Sequence, residues 1–447
     1  MKIQRDILDK LKEWKDKEGR KPMLLMGARQ TGKTWVMQEF GKTFFEHTAI
    51  FNFDKTKELS EIFEKTKDIH RIIKELTLFT ETPILPEKTL LIFDEIQECE
   101  GALNSLKYFC EDAPQYHVIA AGSLLGVAVR QKNMSVPVGK VEILHTYPIS
   151  FKEFLRSADS STYRYVEGIN QIEPLPAIIM NKLEIEYKRY LVCGGMPEAV
   201  TTLLNNKGIQ LLEDVLQNIL DMYTLDFSKY VNQANIPRIN SLWNSLPSQL
   251  SKENRKFLYN AIKSGARARE YEDALLWLLE AGLIYRIFNV SRPGLPLSAY
   301  QDLSAFKIYA FDCGILRRLA KLSPEVIISG NSGYIEFKGA LAENAILQSL
   351  VPLSDGLPNY WSSENRAEVD FLIQDAANII PVEVKAEKRV SGKSLSVYDA
   401  KFSPSLKIRY SMNNLKKDNN LLNIPSPLAD WTYKIVKLSH KVNEVFL

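Results

Sequence analysis

Cysteine and histidine are both scarce, four and five residues in 447, and their placement excludes more than their number does. Cys99, Cys110, Cys193 and Cys313 form no CxxC pair, and no histidine pairs with them or with another at metal-ligand spacing. Neither a zinc site nor a disulfide framework is therefore expected. Long apolar runs are missing too. No stretch approaches the about 18 apolar residues that a membrane-crossing helix needs. The N-terminal "MKIQRDILDKLKEWKDKEGRK" is charged and helix-like, without the apolar centre of a signal peptide. A cytoplasmic protein with no membrane partner is expected. A net charge of +3 with a pI near 8.4 creates no large field, so any surface for nucleic acid must be a local basic patch.

What is present is the composition of a globular protein, 45% hydrophobic and 25% charged, in a chain too long for one core, so two to four domains are expected. Apolar runs at "KPMLLM" (Lys21 to Met26), "TAIFNF" (Thr48 to Phe53), "TLLIFDE" (Thr89 to Glu95) and "YHVIAAGS" (Tyr116 to Ser123) alternate with helical patterns. Strands buried on both faces and separated by helices predict a parallel α/β sheet. From about residue 150 to 235 the pattern is helical. From Ile236 to about Leu303 helices lead through "YEDALLWLLEAGLIYRIFNVS" toward a two-stranded wing, an order that fits either a winged helix or a plain helical connector. The last third returns to α/β with "GALAENAILQSLV", "NYWSS", "AEVDFLIQ" and "NIIPVEVKA".

The first chemical motif is "GARQTGKT", Gly27, Ala28, Arg29, Gln30, Thr31, Gly32, Lys33 and Thr34, placed after a strand and before a helix as a P-loop must be. The two glycines let backbone N–H groups face phosphate oxygens, and the helix N-terminus adds positive potential. Lys33 is expected to reach the β- and γ-phosphates of ATP, and the Thr34 hydroxyl to ligate Mg²⁺. The apolar strand of "LLIFDE" delivers Asp94 and Glu95 to its carboxyl end, Asp94 toward Mg²⁺ and Glu95 as the base that orients and deprotonates water. Ser123 closes "AAGS" as a sensor of the γ-phosphate or the water, or else as a small turn residue. The arginine that stabilises transition-state charge is not assignable from the residues, with Arg29 in the loop and Arg130 beyond the sensor strand as the nearby arginines.

These segments, with "YPISFKEFL", "YLVCGGMPEAV", "FKIYAFDCGILRRL", "GALAENAILQSL" and "VDFLI" followed by "PVEVKA", resemble in order and over nearly the whole chain the AAA-type ATPases of bacteria and archaea whose C-terminal part is a domain of unknown function. The resemblance implies an α/β multidomain protein with a P-loop ATPase domain at 1–155, a helical lid at 156–235, a winged-helix-like domain at 236–303 and a nuclease-like domain at 304–447. One departure is Gly139-Lys140, where the family has Gly-Arg before the Pro-Ile-Ser-Phe segment; lysine lacks the planar fork that clamps phosphate. The paired glycines of "CGGMPEAV" are expected to build a tight turn and no chemistry.

In the tail, alternate residues of a strand share a face, so Glu383 and Lys385 point one way while Val382 and Val384 point the other. Asp370 lies on the upstream strand, joined through a "QDAAN" hairpin. With Glu343 on the preceding helix this is the pattern of the PD-(D/E)xK nuclease fold. Asp370, Glu383 and Glu343 would hold a second Mg²⁺ or Mn²⁺, and Lys385 would position water or stabilise phosphorane charge. A hairpin with one wet face explains the same alternation without a site. Basic clusters at Lys252 to Arg269, at Lys385 to Lys393 and in "NNLKKDNN" are candidate nucleic-acid contacts, DNA before RNA, with Arg267 and Arg269 ahead of the recognition helix; solvated helix faces explain them equally. Two functions follow: an ATPase coupled to a metal-dependent nuclease, or a nucleotide-controlled switch whose tail binds without cleaving. A tail held shut by salt bridges or with remote carboxylates would favour the switch.

Overall fold

The apolar runs of the first third become strands β1 (Met23–Met26), β2 (His47–Asn52), β3 (Thr89–Asp94) and β4 (His117–Ala121). The structure is a computed structural model and describes residues 3–132, 134–229, 231–252, 256–330, 335–363, 367–387 and 392–444. β3 and β4 are buried along their whole length, which is why they read as unbroken apolar runs. A fifth strand, β5 (Glu142–His145), adds an edge, and every pairing is parallel in the order β2-β3-β4-β1-β5. Its alternating half-buried residues, two of them charged or titratable, gave no apolar run to find. The register sets Asp94 level with Asn52 on one side and Ala121 on the other. The carboxyl ends of these strands open on one crevice, where an α/β sheet binds its ligand.

The middle of the chain is helical. Helix Phe151–Ala158 opens with a capping box, Glu153 N donating to Ser150 Oγ (3.1 Å) and Ser150 N to Glu153 Oε2 (3.0 Å). Helix Ile209–Asp226 buries Leu212, Leu216, Ile219 and Tyr223 along one face, spaced as a 3.6-residue period requires. These side chains belong to the same apolar cluster as Val382, Ile408 and Ile424 of the tail, so middle and tail share a core.

The tail is built on a mixed sheet of eight strands. β6 (Ile284–Asn289) and β7 (Asp302–Ala310) form an antiparallel hairpin; β8 (Asn359–Ser363), β9 (Ala367–Asp375), β10 (Asn378–Val384), β11 (Lys407–Ser411), β12 (Lys416–Asp418) and β13 (Leu421–Pro425) follow, in the order β12-β13-β11-β10-β9-β8-β6-β7. The boundary expected at residue 303/304 therefore falls inside β7. The hairpin read as a wing extends the tail sheet through the pairing of Asn289 with Tyr360. Residues 253–255 and 388–391 of the two basic clusters lie outside the described residues.

Asp312 ties three of these segments together. It is fully buried; its Oδ2 accepts from Gly195 N (2.6 Å) and Gln348 Nε2 (3.1 Å), and its Oδ1 accepts from Ile315 N (2.9 Å). The Gly194–Gly195 turn thus does more than reverse the chain. Gly194 has φ +66°, and a Cβ there would collide with the Asp312 carboxylate. Asp312→Ala leaves three buried donors unpaired, which costs on the order of 3–5 kcal/mol. A large drop in the denaturant midpoint is expected, with Asp312→Asn losing less; a midpoint for the alanine variant equal to wild type would remove Asp312 as a hub.

Candidate nucleotide site

The loop between β1 and helix Lys33–Phe44 carries the P-loop, and its backbone has the required shape. Gly27 sits at φ +143°, where a Cβ would run into the carbonyl and hydroxyl of Thr146. Gly32 at φ +92° caps the helix in the left-handed region that favours glycine. Lys33 is buried, and its ammonium donates to the loop's own carbonyls, Gly27 O (2.8 Å) and Ala28 O (2.7 Å). Burial pulls its pKa down to about 8, with Glu95 and Asp94 pulling back the other way and Arg29 adding to the fall.

Across the crevice, Thr34 Oγ1 donates to Asp94 Oδ2 (3.0 Å), and Asn52 Nδ2 donates to the same oxygen (3.3 Å). Burial raises the Asp94 carboxyl above its ordinary value, and the Thr34 hydrogen bond opposes it. A hydroxyl and a carboxylate at this spacing are hard oxygen donors of the kind Mg²⁺ takes, and a cation there would relieve the buried charge. Glu95, in the left-handed region at φ +52°, accepts from Ser123 Oγ at Oε2 (3.0 Å) and from Gln97 Nε2 (2.6 Å). Of the sequence-predicted residues, Arg29, Gln30, Gly32, Lys33, Thr34, Glu95 and Ser123 line one crevice, Asp94 is joined to it through Thr34, and Gly27, Ala28 and Thr31 face a neighbouring recess. Its cleft, about 320 Å³, meets at Gly32 and Trp35 a second recess of about 490 Å³ lined by Ile3, Ile149 and Pro197.

The four tail candidates are arranged otherwise. Glu383 is buried and neutralised from two sides: Arg409 Nε on neighbouring β11 donates to Oε2 (3.1 Å), and Lys385 Nζ lies 3.2 Å from Oε1. Asp370 Oδ2 accepts from Val384 N (2.7 Å) and so fastens the end of β10 to β9. Glu343 Oε2 accepts from the Tyr309 hydroxyl (3.3 Å). Among the described residues no three His, Cys, Asp or Glu side chains are grouped so as to hold a metal ion. Glu343, Asp370 and Glu383 form no such group, and each serves a hydrogen bond or ion pair.

Residues 19–155 match the family model described as an AAA domain. This segment is the chain's AAA-like domain. Residues 184–326 and 338–428 match two domains of unknown function, DUF8612 and DUF4143. Among solved structures, the chain is similar to the Walker-type ATPase PABY2304 of Pyrococcus abyssi, at 14% identity over 71% of this chain and 96% of that one with a TM-score of 0.45. It is also similar to the ORC2 protein of Aeropyrum pernix, at 14% identity over 74% and 95% with a TM-score of 0.37. The RuvB Holliday junction branch migration motor of Thermotoga maritima aligns at 14% identity over 64% and 90%, TM-score 0.29. No curated protein matches. No helix of the described residues is long and apolar enough to cross a membrane.

Several residues that serve the AAA domain carry no sequence motif. Arg5 is buried, bridges both Glu153 oxygens (3.2 Å each) and donates to Thr31 O (3.1 Å), so the N-terminal segment and helix Phe151–Ala158 brace the P-loop. Tyr223 OH donates to Arg29 O (2.9 Å), and the Arg29 guanidinium pairs with Asp226. Asp226 ends a helix and resembles any polar helix end; only its burial distinguishes it. Arg130 pairs with Glu280 and Asp273 (3.4 Å each), and exposed Lys140 pairs with Glu111 (2.7 Å). Both are engaged away from the loop.

Proposed function

We propose that the protein is a nucleotide-controlled switch: ATP bound and hydrolysed in the AAA domain repositions the helical middle, and the nuclease-like tail engages a macromolecule, DNA before RNA, without cutting it. The observation that carries this is the hydrogen bond from Tyr223 OH to the P-loop carbonyl of Arg29. A loop that must move or tighten around phosphates is in direct contact with helix Ile209–Asp226. In this reading Mg²⁺ would be held by Thr34 and Asp94 and would neutralise phosphate charge. Lys33 binds the β- and γ-phosphates, and Glu95 takes the proton of the attacking water. The binding rather than cleaving role of the tail is supported by the two cations on Glu383. Exposed Arg267 and Arg269 at the start of helix Ala268–Glu280 supply phosphate contacts.

Two measurements on the full chain test this. Hydrogen exchange in helix Ile209–Asp226 is expected to differ severalfold between the ATP-bound and ADP-bound protein; identical protection sinks the switch. ATP turnover and cleavage are assayed together with DNA and RNA in Mg²⁺ and Mn²⁺. Nucleotide hydrolysis without nucleic-acid cleavage is expected. Metal-dependent cleavage that Glu383→Ala abolishes would overturn the non-cutting tail in favour of a nuclease.

A further inference from the structure

The Arg29 side chain of the phosphate-binding loop touches both Ser123, which bonds Glu95, and the neighbouring helical module. Its Nε donates to Ser123 Oγ (3.2 Å), and Ser123 Oγ donates to Glu95 Oε2 (3.0 Å), so a single hydroxyl separates the guanidinium from the proposed base. Its side chain is 27% exposed and lines the same cleft as Lys33 and Thr34. The other end of the guanidinium is paired with Asp226 Oδ1. Asp226 is itself 5% exposed in its side chain, and its Oδ2 has no hydrogen-bond partner among the described residues.

A buried carboxylate with one oxygen unpaired is an incompletely satisfied site. Lys229 Nζ stands 3.8 Å from Oδ1, so the carboxylate keeps a neighbouring cation when Arg29 leaves it. Polyphosphate arriving in the cleft competes with this half-satisfied carboxylate for Arg29. Phosphate offers several acceptor oxygens to a planar fork of N–H donors.

We infer that Arg29 is a catalytic arginine acting from within its own chain, parked on Asp226 and drawn onto the γ-phosphate when ATP binds. The inference rests on the ATPase reading and adds the source of the transition-state cation. In the reaction, the water oxygen forms a bond to the γ-phosphorus as the bond from that phosphorus to the β–γ bridging oxygen breaks, and its electron pair leaves with ADP. Glu95 accepts the water proton. The Arg29 N–H groups carry the charge that gathers on the γ-phosphoryl oxygens, and Lys229 neutralises the vacated Asp226. The products are ADP, phosphate and one proton.

The test measures ATP turnover and ADP binding for full-length wild type, Arg29→Ala, Arg29→Lys and Asp226→Asn. Loss of an arginine of this kind costs roughly 10³–10⁵ in kcat where it has been removed from other phosphoryl-transfer sites, and at least about 10² is expected for Arg29→Ala. ADP affinity should stay within about threefold, which also shows that the variant is folded. Arg29→Lys should remain close to alanine, because lysine lacks the fork. Asp226→Asn frees the arginine and should raise kcat severalfold. A kcat for Arg29→Ala within about threefold of wild type, with wild type turning over ATP, overturns this inference alone. If Arg29→Ala loses ADP binding, Arg29→Lys decides: full turnover there means packing and overturns the inference, while ADP binding without turnover supports it. An unchanged or lower rate in Asp226→Asn overturns the latch. A wild type that binds ATP through Lys33 but never hydrolyses it sinks the ATPase reading, and Arg29's role with it.

Discussion

Lys33→Ala lowers ATP affinity by roughly two to three orders of magnitude while leaving the nucleotide-free protein no less stable. The ammonium is the only lysine placed to meet the phosphates from inside the loop, and charge-assisted hydrogen bonds to two phosphate groups are worth about 1.5–3 kcal/mol each. In the free protein the same group is a burden. Burial first of all lowers its pKa from 10.5 to about 8, a difference worth on the order of 3 kcal/mol against the charged form. The sign follows: stability of the free protein rises as pH climbs from about 8 toward 10.5, where the unfolded chain also loses the proton. Removing the ammonium at pH 7 relieves that cost, against which stand its hydrogen bonds to Gly27 O and Ala28 O.

Bound phosphate restores the ordinary lysine value, so ATP binding should take up close to one proton near pH 9 and none near pH 7, with affinity falling as pH rises through about 8. Calorimetry in two buffers of different ionisation enthalpy reads the uptake directly. Wild-type ATP affinity in Lys33→Ala, or no uptake at pH 8.5 in wild type, contradicts the placement of Lys33.

Glu95→Gln should slow ATP turnover by roughly 10²–10⁴-fold, the usual worth of a positioned general base, and leave ATP affinity within about threefold. Glutamine has the same shape and can keep the contacts with Ser123 and Gln97, so the loss isolates proton abstraction from packing. The variant should accumulate bound ATP rather than ADP, which is seen by separating protein from free nucleotide and assaying what was retained. Turnover in Glu95→Gln close to wild type would assign the base elsewhere.

The P-loop, the carboxylate pair and strands β1 to β4 were readable because each is local: a glycine spacing, or a short apolar run. The hairpin of β9 and β10 was readable for the same reason, with the alternation of Val369, Phe371 and Ile373 against Val382 and Val384 setting its faces. Where partners come from far along the chain, the signal vanishes. Nothing in "PVEVKA" announces Arg409, which lies 26 residues downstream and meets Glu383 only because β11 runs parallel beside β10. That neighbour decides whether the carboxylate is a metal ligand or half of an ion pair. Asp226 and Arg5 were invisible for a related reason: a charged residue near a helix end is ordinary, and only tertiary burial makes it exceptional.

The continuity of β6 and β7 with β8 sets what can be cut apart without damage. A fragment beginning at residue 304 severs β7 and discards β6, which removes the pairing of Asn289 with Tyr360 and uncovers that flank of β8. Such an open flank is a template for strand addition and self-association. A graft of the last third is therefore expected to stay monomeric more readily when it carries the hairpin from Ile284 onward.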